Sequence, residues 1–277
     1  MNRAHEKTHF WHDTTLDNLE LLHATYVTHS FAPHTHEGYA IGVVTTGAER
    51  FAYRRANYVA LAGDVVIINP AEVHTGQAHT KQGWTYRMLY PDAEQLRRVA
   101  TQMIGDEDAY PFFPAAVIHD PDTAQQIIGL HKQLEMGMDS LSAEVLWHTM
   151  LTALISRHAD EQRPLTSPMP RAENRLVQQA LSYLHDNYAA AIRLQDLADT
   201  VALSPFHFLR LFKAELGLPP HTYLTQLRIH RAKALLNAGQ PIAAVAQQVG
   251  FTDQSHLSRH FKRIVGVPPG EYQADIR

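Results

Sequence analysis

The chain contains no cysteine. Disulfides and thiolate metal sites are therefore excluded, and the absence suits a reducing compartment. It also lacks any long hydrophobic run. The longest aliphatic stretch is Val65–Ile68, which is strand length, whereas a membrane-spanning helix needs about 20 apolar residues. Met1–Leu16 is polar, carries His5, His9 and His12, and has no apolar core of the kind that marks a signal peptide. The expectation is a cytoplasmic protein with no membrane association. Low-complexity tracts are missing as well. With 45% hydrophobic and only 19% charged residues in 277, the chain has enough apolar material for one large core or two smaller ones.

A net charge of −4 argues against nucleic acid until the chain is divided. Residues 171–277 carry 12 Lys+Arg against 8 Asp+Glu, a net of +4, and residues 1–170 carry 12 against 20, a net of −8. Such asymmetry points to a basic working domain joined to an acidic one.

The first part reads as strands. Phe51 and Tyr53 alternate with Ala52 and Arg54, and Tyr86, Met88 and Tyr90 alternate with Arg87 and Leu89. Turn signals fall at Thr46-Gly47, Ala62-Gly63-Asp64, Asn69-Pro70 and Gln82-Gly83. Many short strands without intervening helices predict a sandwich or small barrel. From about Asp122 the period lengthens. Ile127, Leu130 and Leu134 fit one helix face; Val145, Leu146, Thr149 and Ile155 fit another, with Asp122 and Ser142 as caps. This helical hairpin covers the barrel or also joins two subunits. Pro164, Pro168 and Pro170 then forbid a continuous helix. The expected organisation is a domain over 1–160, a linker over 161–172 and a helical domain over 173–277.

The last part repeats itself. Leu194–Val201 resembles Ile242–Val249 at an offset of 48, with Ala198 matching Ala246. Ser204–Lys213 then resembles Asp253–Lys262 at an offset of 49, so the second turn holds one extra residue. His207, Arg210, Phe212 and Lys213 recur as His256, Arg259, Phe261 and Lys262, and Gly217, Pro219, Pro220 and Tyr223 recur as Gly266, Pro268, Pro269 and Tyr272. Each unit predicts a short helix, a tight turn at Leu203 or Gly250-Phe251, and a capped second helix started by Ser204-Pro205 or by Asp253. Phe208 and Phe212, like Leu257 and Phe261, are spaced to face inward. Polar, reaching side chains remain outside near the helix start, as a DNA-reading helix requires. A connecting helix from Pro219-Pro220 to about Asn237 spans about 26 Å. That can hold two readers about one duplex turn, 34 Å, apart. Its Arg228, Arg231 and Lys233 are possible phosphate contacts.

Gly250 through Lys262, followed by Gly266-Val-Pro268-Pro269-Gly-Glu-Tyr272, resembles the signature of the AraC/XylS regulator family. The resemblance covers nearly the whole C-terminal domain. It implies seven helices, with two recognition helices entering successive major grooves of double-stranded DNA. By position, Ser204, Phe206, His207, Arg210 and Lys213 in the first unit would meet DNA, as would Gln254, Ser255, His256, Arg259 and Lys262 in the second. Arg210 and Arg259 would read bases. Leu209 stands where some members have a polar reader, which departs from the pattern.

Pro33-His34-Thr-His36-Glu37-Gly38-Tyr39, Gly47, Gly63-Asp64 and Asn69-Pro70-Ala-Glu-Val-His74 resemble the cupin barrel that such regulators carry as a sensor. The resulting fold class is an all-β cupin-like barrel with a helical hairpin, followed by an all-α domain of two helix-turn-helix units. His36, Tyr39, His74, Trp84 and Tyr86 are expected to line a pocket for a small effector, because such pockets are mostly apolar with a few placed polar groups. His34, His36 and His74 match three metal-ligand positions of metallo-cupins, and imidazole suits transition metals. The fourth, acidic ligand is missing, since Ala40 and Ile41 stand in its place, so no resident metal or other cofactor is favoured. No Ser/His/Asp or paired-carboxylate set stands out, and an enzyme is not expected. The implied protein is a sequence-specific transcription regulator acting as a homodimer, with RNA polymerase as a partner if it activates. The alternative is a metal-dependent cupin enzyme with an accessory DNA-binding domain.

Overall fold

The computed structural model describes residues 6–104, 110–160 and 174–274. The chain divides into two compact units, residues 1–31 with 35–169, and residues 32–34 with 170–277. The linker expected over 161–172 lies outside the described residues.

The first unit holds β1 (Lys7–Asp13), β2 (Leu19–Tyr26), β3 (Ser30–His34), β4 (Ala40–Tyr53), β5 (Ala56–Leu61), β6 (Val65–Ile68), β7 (His74–Ala78), β8 (Trp84–Tyr90), α1 (Ala93–Ile104), β9 (Val117–Ile118), α2 (Pro121–Met136) and α3 (Ser140–His158). The 14-residue β4 joins two antiparallel sheets. Its first half pairs with β6 and β8, and its second half pairs with β5 and β7. Thr46-Gly47, expected as a turn, instead lies inside this strand. The register against β8 shifts between Val44 and Thr46, and a β-bulge of this kind bends a strand without ending it. Gly47 is required there: it has φ +74°, and a Cβ would come within 2.2 Å of the Gly83 carbonyl. The other three turn signals all fall between strands.

Strand alternation separates two sides. Leu21, Ile41, Val43, Val65, Ile67 and Leu89 pack against α1, α2 and α3. Ala24, Tyr26, Trp84 and Tyr86 lie on the opposite parity of their strands and are also buried, as are Phe51 and Tyr53 beyond the bulge of β4. The helical hairpin is present, but its caps are Asp120 and Asp139 rather than Asp122 and Ser142. Each Asp sits one residue outside the helix and accepts from backbone N–H groups of the first turn, where donors are otherwise orphaned. Of the residues assigned to the buried face of α3, Val145 and Thr149 are exposed. Ala143, Trp147, Met150, Leu151 and Leu154 carry the contact instead. Helix α1 was not expected from periodicity. Its local signal is a reciprocal cap: the Gln95 N–H donates to Asp92 Oδ1 at 2.7 Å, and the Asp92 N–H donates to Gln95 Oε1 at 3.0 Å.

The second unit holds α4 (Arg175–Asn187), α5 (Leu194–Thr200), α6 (Pro205–Leu216), α7 (Pro220–Asn237), α8 (Ile242–Gln248), α9 (Gln254–Val265) and α10 (Pro269–Ala274), seven helices among the described residues. No helix of the described residues is long and apolar enough to cross a membrane.

Candidate nucleic-acid interface and sensor interior

The two halves of the repeat fold alike. In the first, the Leu203 N–H donates to the Ala198 carbonyl at 3.0 Å; in the second, the Phe251 N–H donates to the Ala246 carbonyl at 2.8 Å. The turn residues before these donors, Ala202 and Gly250, both have positive φ, +55° and +84°. Glycine is needed only in the second unit, where a Cβ would fall 2.5 Å from the Ala189 carbonyl. Thr252 is the extra residue. The chain then enters α6 through Ser204, which accepts from the His207 N–H, and α9 through Asp253, which accepts from the His256 N–H at 2.7 Å. Phe208, Phe212, Leu257 and Phe261 are all fully buried, as are Ala198 and Ala246.

That burial fixes what each reading helix shows to solvent. Ser204, Phe206, His207, Arg210 and Lys213 are exposed on the first, and Gln254, Ser255, Arg259 and Lys262 on the second. His256 is half-buried, with its ring 5.2 Å from Phe251 and 4.9 Å from His260. Leu209 is half-buried. Among the described residues neither Arg210 nor Arg259 has a carboxylate partner. Arg210 instead lies 5.7 Å from the Phe206 ring centroid. Phe206, 64% exposed, is an apolar group at the very start of a helix that otherwise presents polar atoms. The connecting helix α7 has the expected limits, and 18 residues give it a length of about 27 Å. Of its three cations, Arg228 is taken up inside the unit. Arg228 donates to the carbonyls of Tyr188 and Ala190 at 2.7 and 2.8 Å. Arg231 stands over the Tyr188 ring and Lys233 over Tyr272.

In the sensor, four of the five expected residues share the interior between the strands. The His36 ring is 4.9 Å from His74 and 5.2 Å from Tyr90. Trp84 and Tyr86 are 5.9 Å apart and both meet Tyr26. Tyr86 and Tyr90 each perturb the other's ionisation, which links the two groups. The fifth, Tyr39, is elsewhere: its hydroxyl donates to the Pro111 carbonyl at 2.6 Å, and its ring packs in the helix-side core. It is a structural residue.

His34, His36 and His74 each offer a ring nitrogen, and these nitrogens lie within 4.8 Å of one another. The Nδ1 of His34 is 2.8 Å from the Ala32 carbonyl, and that of His74 is 3.1 Å from the Glu72 carbonyl. Carbonyl partners require Nδ1 to carry the proton, which puts the lone pair on Nε2, as in histidine metal ligands. The trio fits a divalent transition ion by this chemistry, although no carboxylate completes the set.

Sequence reasoning missed Glu49. It shares a parity on β4 with Phe51 and Tyr53, so a charged residue stands in an inward register. Burial pushes its carboxyl up to about 8, while burial holds His74 down to about 4. On the helix side, burial and then the Arg87 charge hold His131 down to about 3. These shifts predict a stability maximum. Both histidines are neutral in the fold and take up a proton on unfolding below 6.5, so stability falls as pH drops below 6.5. Glu49 is protonated in the fold but ionises on unfolding above 4.5, so its contribution is complete below 4.5 and lost as pH rises to about 8. Each proton weighs about 1.4 kcal/mol per pH unit. Two histidines outweigh one carboxyl below 6.5, and above it only Glu49 titrates. Urea melts across pH 5–8.5 should peak near pH 6.5, and Glu49→Gln should flatten the alkaline limb.

A pair of helix-turn-helix units behind a β-rich domain with a polar and aromatic interior defines a ligand-sensing, DNA-binding regulator. Residues 18–151 match the AraC-like ligand binding domain, and residues 197–275 match a helix-turn-helix domain. The chain is 29% identical over 228 residues to the HTH-type transcriptional regulator YbfI of Bacillus subtilis, covering 82% of this chain and 81% of that one. It is 28% identical over 247 residues to the arabinose operon regulatory protein of Escherichia coli, covering 86% and 81%. Apo ToxT from Vibrio cholerae has a similar fold, with a TM-score of 0.55 at 14% identity over 98% of this chain and 97% of that one. The chain belongs to the AraC/XylS family of DNA-binding transcription regulators with an N-terminal ligand-binding domain.

Proposed function

We propose that this regulator reads DNA through α6 and α9. Arg210 and Arg259 would contact base edges, and Phe206, His207, Gln254, Ser255 and His256 would stand beside them. Ser204, Lys213 and Lys262 would meet the backbone. The single observation that carries this reading is the duplication of one exposed face, with an arginine at the same position of each copy and no carboxylate to hold it. An effector in the sensor interior, near His36, His74, Trp84 and Tyr86, would bias the protein between states that present the two readers differently. The protein acts in the cytoplasm as a homodimer on repeated half-sites, and it contacts RNA polymerase if it activates. It is not an enzyme.

The test is a binding titration of the full chain on selected DNA at several salt concentrations. The expected outcome is sequence-selective binding that weakens steeply with salt as phosphate counterions are released. Binding without sequence preference would remove the proposal. The second reading, a metal-dependent cupin enzyme with a DNA-binding domain, draws on the convergence of His34, His36 and His74. It requires stoichiometric iron, zinc or manganese in the purified protein, and elemental analysis showing well under one ion per chain removes it.

A further inference from the structure

The sensor interior contains a carboxyl that the fold does not satisfy. Glu49 is 7% exposed and makes no hydrogen bond among the described residues. Glycine opposite leaves room for it: a Cβ on Gly76 would come within 2.7 Å of Glu49 Oε1 and 3.1 Å of Phe31 Cδ2. Its charge is felt by Tyr86 and Tyr90. Phe31 and Tyr86 continue into Tyr26 and Trp84, with ring centroids 5.3–5.9 Å apart. The Trp84 indole N–H is also buried without a partner.

Among the described residues no cation answers this carboxyl. On the strands around it, Arg50 is exposed and faces Gln77. Arg54 pairs with Glu72 at 2.6 Å. Arg87 lies on the helix side, 2.6 Å from Glu135 and 2.8 Å from His131. The other titratable groups packed around these rings are Tyr26, Tyr53, Tyr86, Tyr90, His29, His36 and His74, with Glu20 acting on Tyr90, and none of them is a lysine or arginine. A buried polar group left without a partner calls for an explanation; burial without a counter-charge keeps this carboxyl protonated up to about pH 8, so a ligand that ionises it must bring the opposite charge.

The geometry points to Glu49 as the anchor of an effector site that takes a small organic amine, its ammonium on the carboxylate and its carbon frame among the Phe31, Tyr86, Tyr26 and Trp84 rings. This deepens the effector reading above and rests on it for regulation, but not for binding. An ammonium supplies the donors and the charge that Glu49 lacks, and neighbouring ring faces attract cations. A neutral alcohol brings no charge to hold the carboxyl in its ionised form. An acidic ligand meets a like charge and finds no arginine or lysine.

Three probes with one ring and different head groups test this on the full chain: benzylamine, benzyl alcohol and benzoate. Benzylamine at roughly ten times its dissociation constant should raise the Tm by about 3 °C, with the alcohol and the acid inactive at the same concentration. Glu49→Gln should melt no lower than the native chain without ligand, because it removes an unpaired acid, and should lose the benzylamine shift. An equal response to all three probes, no response to benzylamine, a Glu49→Gln protein that still responds, or one that melts well below native would each overturn the assignment. Benzylamine binding that leaves DNA affinity unchanged would support the site and remove the regulatory reading alone.

Discussion

Phe261→Ala should lower the stability of the helical unit by about 3–5 kcal/mol, the cost of emptying a fully enclosed aromatic site. Phe261 is 0% exposed on α9, and its ring meets Tyr272 at 5.2 Å. The same contact occurs in the first unit, where Phe212 meets Tyr223 at 5.9 Å. Each reading helix is therefore clamped from behind by one aromatic pair, and the orientation of its outer face depends on that clamp. Lys262, the next residue, is exposed, and Lys262→Ala should change stability by no more than about 0.5 kcal/mol. Urea melts of the two variants separate a buried face from a solvated one between adjacent positions. Equal stabilities would mean that the inward and outward faces of α9 have been assigned wrongly.

The helical half was legible because its information is local and written twice. A capped start, a Phe at i and i+4, and a Gly-Pro-Pro stop determine a helix within a few residues, and the repeat removes chance. The connecting helix was placed for the same reason. What its cations do was not legible: Arg228 reaches carbonyls 38 and 40 residues away in sequence, and no local pattern announces that. In the sensor, alternation located strands but not their continuity, because a bulge lets β4 pass through a Thr-Gly pair that reads as a turn. The helix caps lay two and three residues ahead of those expected. Asp120 precedes Pro121, and proline at the first helical position with an acidic cap before it was the better signal. Helix α1 was overlooked although Asp92 and Gln95 have capping-box spacing. Of the five residues expected to line a pocket, four share the interior between the strands, where aromatics and histidines are conspicuous in the sequence. Tyr39 was misplaced and Glu49 missed because both depend on which side of a strand faces the interior, and that register is set by tertiary pairing.

The second large effect concerns the arginines. A bidentate arginine–guanine contact is worth about 1–3 kcal/mol of discrimination, so Arg210→Ala and Arg259→Ala should each weaken specific binding about 5- to 150-fold. Neither should alter the fold, because both side chains are exposed and unpaired by carboxylates. The loss should be confined to one base position for each variant, with non-specific affinity nearly kept, since the phosphate contacts remain. Hydroxyl-radical footprinting of the full chain and of these two variants on a DNA carrying one selected half-site tests the central claim most directly. The native protein should protect two patches on one side of the duplex about one helical turn apart. Arg210→Ala should weaken one patch and Arg259→Ala the other. A single patch, two patches on opposite sides of the duplex, or variants that leave both patches intact would contradict it.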